Sequence, residues 1–189
     1  ALFGVLLNES LKVVENKDDN NLTYVSYEVL IDYAIPTINE NDNTIIRPYN
    51  DEKVTIGKYY YDLNDEKTQE NAIIYYENTY MQNTGVDYVK EDTFKVVSIL
   101  SGEVISVTDN DIVGKTVKVR HNDKLISIYQ SLGEVAVKEH DKIKQGDVIG
   151  TSGTNEINSE LKNHLHFELV INGVYVNPEK YYTKTVGEF

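Results

Sequence analysis

The 189-residue sequence predicts a mainly β fold built on antiparallel sheet, and three observations carry that expectation. From Phe94 onward, short alternating segments follow one another: "FKVVSILSGEVISVTD", "KTVKVRHND", "LISIYQSL", "VAVKEHDKI", "DVIGTSG", "LHFELVING" and "VYVNPEKYY". Gly, Asn or Asp turns separate them by only a few residues, which is the spacing of an antiparallel sheet or sandwich. Upstream, the runs between turns are β-branched and aromatic, and Tyr occurs 15 times against 3 Pro.

The chain begins "ALFGVLLNESLKVVE". Its first apolar run is far short of the roughly 20 residues that span a bilayer. Residues 1–16 therefore read as the outer end of a transmembrane anchor or a linker, with a short buried strand or helix as the alternative. Residues 17–77 carry frequent turn signals, "NKDDNN", "NENDN" and "PYND", around the extended runs "LTYVSYEVLIDYAI" and "VTIGKYYYDL". A helical turn is expected at Asp65 to Glu70, followed by an extended stretch. This segment is poor in aliphatics for an independent core, so it is expected to be an acidic arm packed on the sheet. The cluster Tyr59, Tyr60 and Tyr61 is expected to pack against the domain that follows. That domain is expected to span residues 78–185.

Composition removes several function classes. The formal charge is −13, so the cationic footprint needed for nucleic acid or a bare anionic lipid surface is missing. Most of the excess lies in front, a net of −9 over residues 1–77 against −4 over the rest. With no Cys, the chain holds neither a disulfide framework nor a thiolate metal site.

The chemistry concentrates in "LKNHLHFELVINGVYVNPEKYY", residues 161–182. On a strand, side chains alternate with period two, so His164 and His166 point to one face and could serve one ion. Two other segments, "SILSGEVISV" and "VKEHDKIKQGDVIGTSG", each place a Gly before a valine-rich strand, as a tight corner requires. Such a duplicated hairpin architecture is shared by lipoyl and biotinyl carriers and by certain cell-wall peptidases. A carrier needs a single exposed Lys at a hairpin tip for cofactor attachment, and neither tip offers a convincing one. His121, before an "ND" turn, and His140, in a charged turn, are expected at the surface.

From "NTGVDY" at 83–88, through "SGEVISV" at 101–107, "VKVRHNDKLISIYQSL" at 117–132 and "DKIKQGDVIGTSG" at 141–153, to "HLHFELVINGVYVNPEKY" at 164–181, the chain resembles the lysostaphin/LytM-type zinc endopeptidases. Those enzymes cut peptide cross-links in bacterial cell walls. The resemblance implies a duplicated hybrid-motif domain and a site to compare position by position. Active members begin with His-x-Gly-x-Asp, whose His and Asp bind zinc; this chain keeps Gly85 and Asp87 but has Asn83 in the His position. His166 matches the third zinc ligand and His164 the general base. A further family His follows the Tyr of a Tyr-x-His-Leu piece, where "YQSL" puts Ser131. Asn is a poorer zinc donor than imidazole, and Ser131 donates a hydrogen bond but carries no positive charge.

A site so altered implies no cofactor, or zinc where the metal is retained. The extension from "TIIRPYND" to "IIYYENTYMQNTGVDY" is most like that of sporulation members of the family, which are anchored by an N-terminal helix, project this domain outside the membrane and bind a partner protein. The resemblance thus implies an extracytoplasmic, non-catalytic scaffold with an envelope or sporulation protein as partner. The alternatives are a zinc-dependent peptidoglycan endopeptidase and a non-cutting wall-binding or hydrolase-activating module, with peptidoglycan as the ligand.

Overall fold

The computed structural model describes residues 11–17, 23–29 and 44–188, in two units, Ala1–Ile35 and Pro36–Phe189. The apolar start "ALFGVLL" lies outside the described residues, as does much of the expected arm between 18 and 43. Among the described residues no helix is long and apolar enough to cross a membrane. The first unit contains an antiparallel ribbon of β1 (Leu11–Lys17) and β2 (Thr23–Val29), with Leu11 opposite Val29.

In the second unit, the alternating segments form a ten-stranded antiparallel sheet. Its members are β3 (Thr55–Lys58), β6 (Val86–Val89), β7 (Lys95–Val97), β8 (Gly102–Thr108), β9 (Lys115–Arg120), β10 (Leu125–Val135), β11 (Lys142–Ile143), β12 (Val148–Ser152), β13 (His164–Ile171) and β14 (Val174–Val176). The main path runs β11-β8-β9-β10-β13-β6-β3; β12 bridges β10 to β7, and β14 lies beside β13. Asn172 and Gly173, at φ 52° and 78°, supply the left-handed pair that a two-residue turn between β13 and β14 requires. A separate hairpin joins β4 (Ile73–Tyr76) to β5 (Thr79–Gln82). It follows the helical turn α1 (Glu66–Gln69) and a 3-10 turn at Glu70–Ala72, where the sequence predicts a helical turn.

The core fills with the inward residues of this sheet, including Tyr88, Val104, Val119, Tyr129, Ile149, Leu165, Phe167 and Leu169, all fully buried. Burying each large apolar side chain contributes about 1.5–3 kcal/mol relative to exposure. Phe167 and Tyr129 sit on neighbouring strands with ring centroids 5.2 Å apart. Residues 44–77 share this core: Ile45 and Val54 are buried in it, and β3 pairs with β6. Arg47 makes a two-pronged pair with Glu179 at 2.7 and 2.8 Å and lies over the Tyr182 ring. The Tyr88 hydroxyl reaches the same Glu179 at 2.7 Å. One cluster thereby ties the start of the described segment to the last turns and to β6.

Candidate functional site

β13 lies between β10 and β6, so its side chains meet groups from both. His166 stands directly opposite Asp87 of β6, and the pair is hydrogen-bonded from His166 Nδ1 to Asp87 Oδ1 at 3.0 Å. The approach of β6 depends on Gly85: a Cβ there would lie 2.4 Å from the Phe167 carbonyl oxygen. That close passage is the physical reason for a Gly between positions 83 and 87.

Asn83 is buried and held by backbone groups that precede it and by Asp87. Its Nδ2 donates to the Tyr59 carbonyl and to Asp87 Oδ2, both at 2.9 Å. Its backbone N–H donates to the Ala72 carbonyl, and its carbonyl accepts from the Tyr61 N–H. Two acceptors facing Nδ2 fix the amide's orientation. Its Oδ1 is buried and has no hydrogen-bond partner among the described residues. The tyrosine cluster thus supplies backbone groups to the site, while the Tyr60 ring packs against the core and its hydroxyl donates to the Tyr175 carbonyl.

On its other side, His166 Nε2 is 3.4 Å from Glu168 Oε1. Burial disfavours the imidazolium, but the Asp87 charge and hydrogen bond, with Glu168 behind them, outweigh it and hold the His166 pKa up at about 10. Glu168, despite burial, is held below the usual carboxylate range by His166, with help from the Thr84 hydroxyl. The three residues form a buried chain of minus, plus and minus. Glu168 is a member that the resemblance did not single out, although the same period-two alternation continues through it from His164 and His166.

His164 and Ser131 form a second, neutral chain. Ser131 sits at an irregularity of β10, between the register positions Tyr129 and Leu132 of the pairing with β9, at φ 61°. Bulges of this kind turn a side chain toward a site. Its Oγ is 2.8 Å from His164 Nε2, while His164 Nδ1 faces the Lys162 carbonyl at 2.8 Å. A carbonyl can only accept, so Nδ1 carries the proton, Nε2 accepts, and the Ser131 hydroxyl donates. Asn155 Nδ2 in turn donates to Ser131 Oγ. Burial pushes the His164 pKa below its ordinary value, in keeping with the neutral ring. A hydroxyl bonded to an oriented imidazole is the arrangement of an activated nucleophile. Ser131 and His164, however, are both fully buried, so neither can meet a substrate in this structure. Replacing Ser131 by Ala strands the His164 nitrogen and the Asn155 amide, and is expected to cost about 1–3 kcal/mol in chemical denaturation.

The donor set is not that of a zinc centre. A zinc ion takes unprotonated donors and, in catalytic sites, leaves one position open. Here Asn83 directs its NH₂ group at Asp87, both Asp87 oxygens accept hydrogen bonds, and both His166 nitrogens face carboxylates. Asn83, Asp87 and His166 therefore do not fit the ion. Among the described residues no group of three or more His, Cys, Asp or Glu is arranged to hold a metal. What is open to solvent is a cavity of about 300 Å³ over His166 and Glu168, walled by Ile74, Met81, Val113 and Ile157.

The other two histidines divide. His140 is exposed, as expected, with 82% of its side chain accessible. His121, expected at the surface, is instead fully buried, bonded through Nδ1 to the Ser101 carbonyl and through Nε2 to Ser127 Oγ. The turn signal belongs to Asn122, whose Oδ1 accepts from the backbone N–H groups of Lys124 and Leu125, while His121 closes the sheet just before it.

His166 stands opposite Asp87, with His164 Nε2 3.9 Å from the same carboxylate, and residues 81–178, which hold all three, match the model of Peptidase family M23. The chain belongs to peptidase family M23. Among curated M23 relatives, Stage II sporulation protein Q of Bacillus subtilis (strain 168) is 36% identical over 159 residues, covering 82% of this chain and 56% of that protein. The peptidoglycan DD-endopeptidase ShyC of Vibrio cholerae serotype O1 is 34% identical over 95 residues, covering 50% of this chain and 21% of that protein. The chain thus spans little more than half of the first relative and about a fifth of the second. Among solved structures, that of the SpoIIQ-SpoIIIAH pore forming complex aligns with a TM-score of 0.74 at 37% identity, covering 77% of this chain and 94% of that chain.

Proposed function

We propose that this M23 chain is a scaffold without catalytic turnover that binds a protein partner of the SpoIIIAH kind in sporulation, on the extracytoplasmic side of a bacterial membrane. The observation that carries the non-catalytic part is the pairing around Asp87: its two oxygens are taken by Asn83 Nδ2 and His166 Nδ1, and Asn83 offers only a neutral amide oxygen where the family has an imidazole. The partner rests on the likeness to SpoIIQ, whose solved structure is a complex with SpoIIIAH. Turnover would further require a reachable base and a donor for the developing oxyanion. The base position, His164, is sealed beneath Ser131 and Asn155.

Elemental analysis of the purified chain, with and without added zinc, is expected to find substoichiometric metal, and incubation with purified peptidoglycan no released peptide. The Asn83→His variant is expected to take up one zinc per chain, since the imidazole replaces the misdirected amide. Binding of SpoIIIAH to the unmodified chain, measured by calorimetry, is expected to saturate. One zinc per parent chain together with cleavage of peptidoglycan would overturn the reading in favour of an endopeptidase.

A further inference from the structure

The hairpin of β4 and β5 is not hydrogen-bonded into the ten-stranded sheet; its Ile74 face is buried, whereas the Tyr75–Tyr80 face is exposed, and a two-stranded ribbon gains stability when a further strand pairs with it. Its turn residues Glu77 and Asn78, at φ 45° and 61°, make a two-residue turn closed by Tyr76 opposite Thr79. That closing pair exchanges both of its hydrogen bonds, so the next pair, Tyr75 and Tyr80, is of the non-hydrogen-bonded kind, as is Ile73 with Gln82. The backbone groups of such pairs point outward. On the β4 side the Ile73 carbonyl is taken by Lys58 Nζ at 3.0 Å. On the β5 side, the outward groups of Tyr80 and Gln82 have no partner among the described residues.

The side chains around this edge are equally unfinished. Tyr80 is 76% exposed, and its ring stacks on that of Tyr75, itself 55% exposed, at 4.8 Å. Gln82 opens onto a groove of about 400 Å³ that also holds Leu63 and Tyr175, which are 75% and 42% exposed. The rim is acidic. Asp62 lines the groove, and Glu70 and Glu77, at the start and the turn of the hairpin, are exposed. The nearby described bases are already engaged, Lys58 with Glu160 and Lys180 with Asp62. An unpaired edge, exposed aromatics beside it and a surplus of negative charge together describe one kind of ligand.

We propose that β5 is the docking edge for an extended, Lys- or Arg-bearing strand of the partner protein, which adds to the ribbon beside Tyr80 and Gln82 and lays apolar side chains into the Leu63–Tyr175 groove. The inference deepens the partner-binding reading and rests on it. Strand addition supplies affinity through main-chain hydrogen bonds, while the groove and the acidic rim supply choice of partner. A basic side chain over the Tyr75 and Tyr80 rings gains from the ring faces as well as from the glutamates.

The test titrates SpoIIIAH into the chain and into the variants Tyr80→Lys, Leu63→Lys and Glu77→Lys, with Val148→Lys, at an exposed position of β12, as control. All four sites are exposed, so the fold is expected to persist, which thermal unfolding checks. The first three should bind more than roughly tenfold more weakly, the scale of losing an interface anchor, and the control should match the parent. Independently, hydrogen exchange at the Tyr80 and Gln82 amides should slow when SpoIIIAH saturates the parent. Undiminished binding by the three variants, or unchanged exchange at both amides, would overturn the docking edge while leaving partner binding intact. Failure of the parent to bind SpoIIIAH would overturn the partner reading and this inference with it. Retention on purified peptidoglycan, or self-association of the chain, lost in the same variants would also overturn it, by assigning the edge to a different occupant.

Discussion

Replacing Asp87 by Ala is expected to destabilise the fold by about 3–5 kcal/mol, because it removes the partner of a buried charge rather than a surface ion pair. Asp87 and His166 are 0% and 6% exposed, and the second carboxylate, Glu168, is 3.4 Å from the far nitrogen. Without Asp87 the imidazolium keeps one incomplete partner, and the Asn83 amide loses one of the two acceptors that orient it. For a chain of this size the loss corresponds to a fall in Tm of roughly 10 °C. The measurement is a double-mutant cycle by denaturant unfolding with Asp87→Ala, His166→Ala and the pair. Strong coupling is expected, with the second substitution costing far less than it does alone. Additive costs, or a loss in Asp87→Ala no greater than that of a surface substitution, would mean that the two groups are held in place by the strands and contribute little themselves.

The residues of this site differ in how far they could be read from the sequence, and the difference follows sequence distance. The His164–His166 pair was legible because alternation along one strand is a local property, and both rings do lie near Asp87, at 3.9 and 3.0 Å. Asp87 and Asn83 came only through the resemblance to the lysostaphin/LytM-type enzymes, since nothing in their own segment marks them as a site. Glu168 obeys the same alternation on β13, two residues beyond the last residue of the His-x-His motif. Asn155 and Thr84 left no local trace: Asn155 meets Ser131 across 24 residues and Thr84 meets Glu168 across 84. The left-handed backbone of Ser131 is likewise a product of two strands falling out of register, which a single segment does not encode. His121 was misread because a polar turn sets the expectation for its neighbours, whereas strand end and turn meet between His121 and Asn122. The strands themselves were readable wherever valine and isoleucine alternate with polar residues, and the hairpin of β4 and β5 less so, because Tyr serves equally on buried and exposed faces.

The buried histidines also set opposite limits to the pH range in which the fold is stable. His121 is wholly buried, and burial pushes its pKa from the ordinary 6.5 down to about 4, against the pull of the Ser101 carbonyl. Between these values the unfolded chain binds a proton that the folded chain does not, so stability falls as the pH drops from 6.5 toward 4, by on the order of 3 kcal/mol for this residue. His164, also pushed down by burial, acts in the same direction. His166 has the reverse sign: its pKa is held up at about 10, so its contribution is complete below 6.5 and is lost as the pH rises through 10. Glu168, held below the usual carboxylate range, loses its contribution only in stronger acid. The unfolding free energy measured in urea across the pH range should therefore peak near neutrality, with an acid limb that begins above the range of ordinary carboxylates. The variant His121→Gln, which cannot take up a proton, should be less stable at neutral pH yet lose less between 6.5 and 4. An acid limb of unchanged slope in that variant would assign the midrange loss to His164 alone, and would show that His121 enters the unfolded state without the proton difference its burial implies.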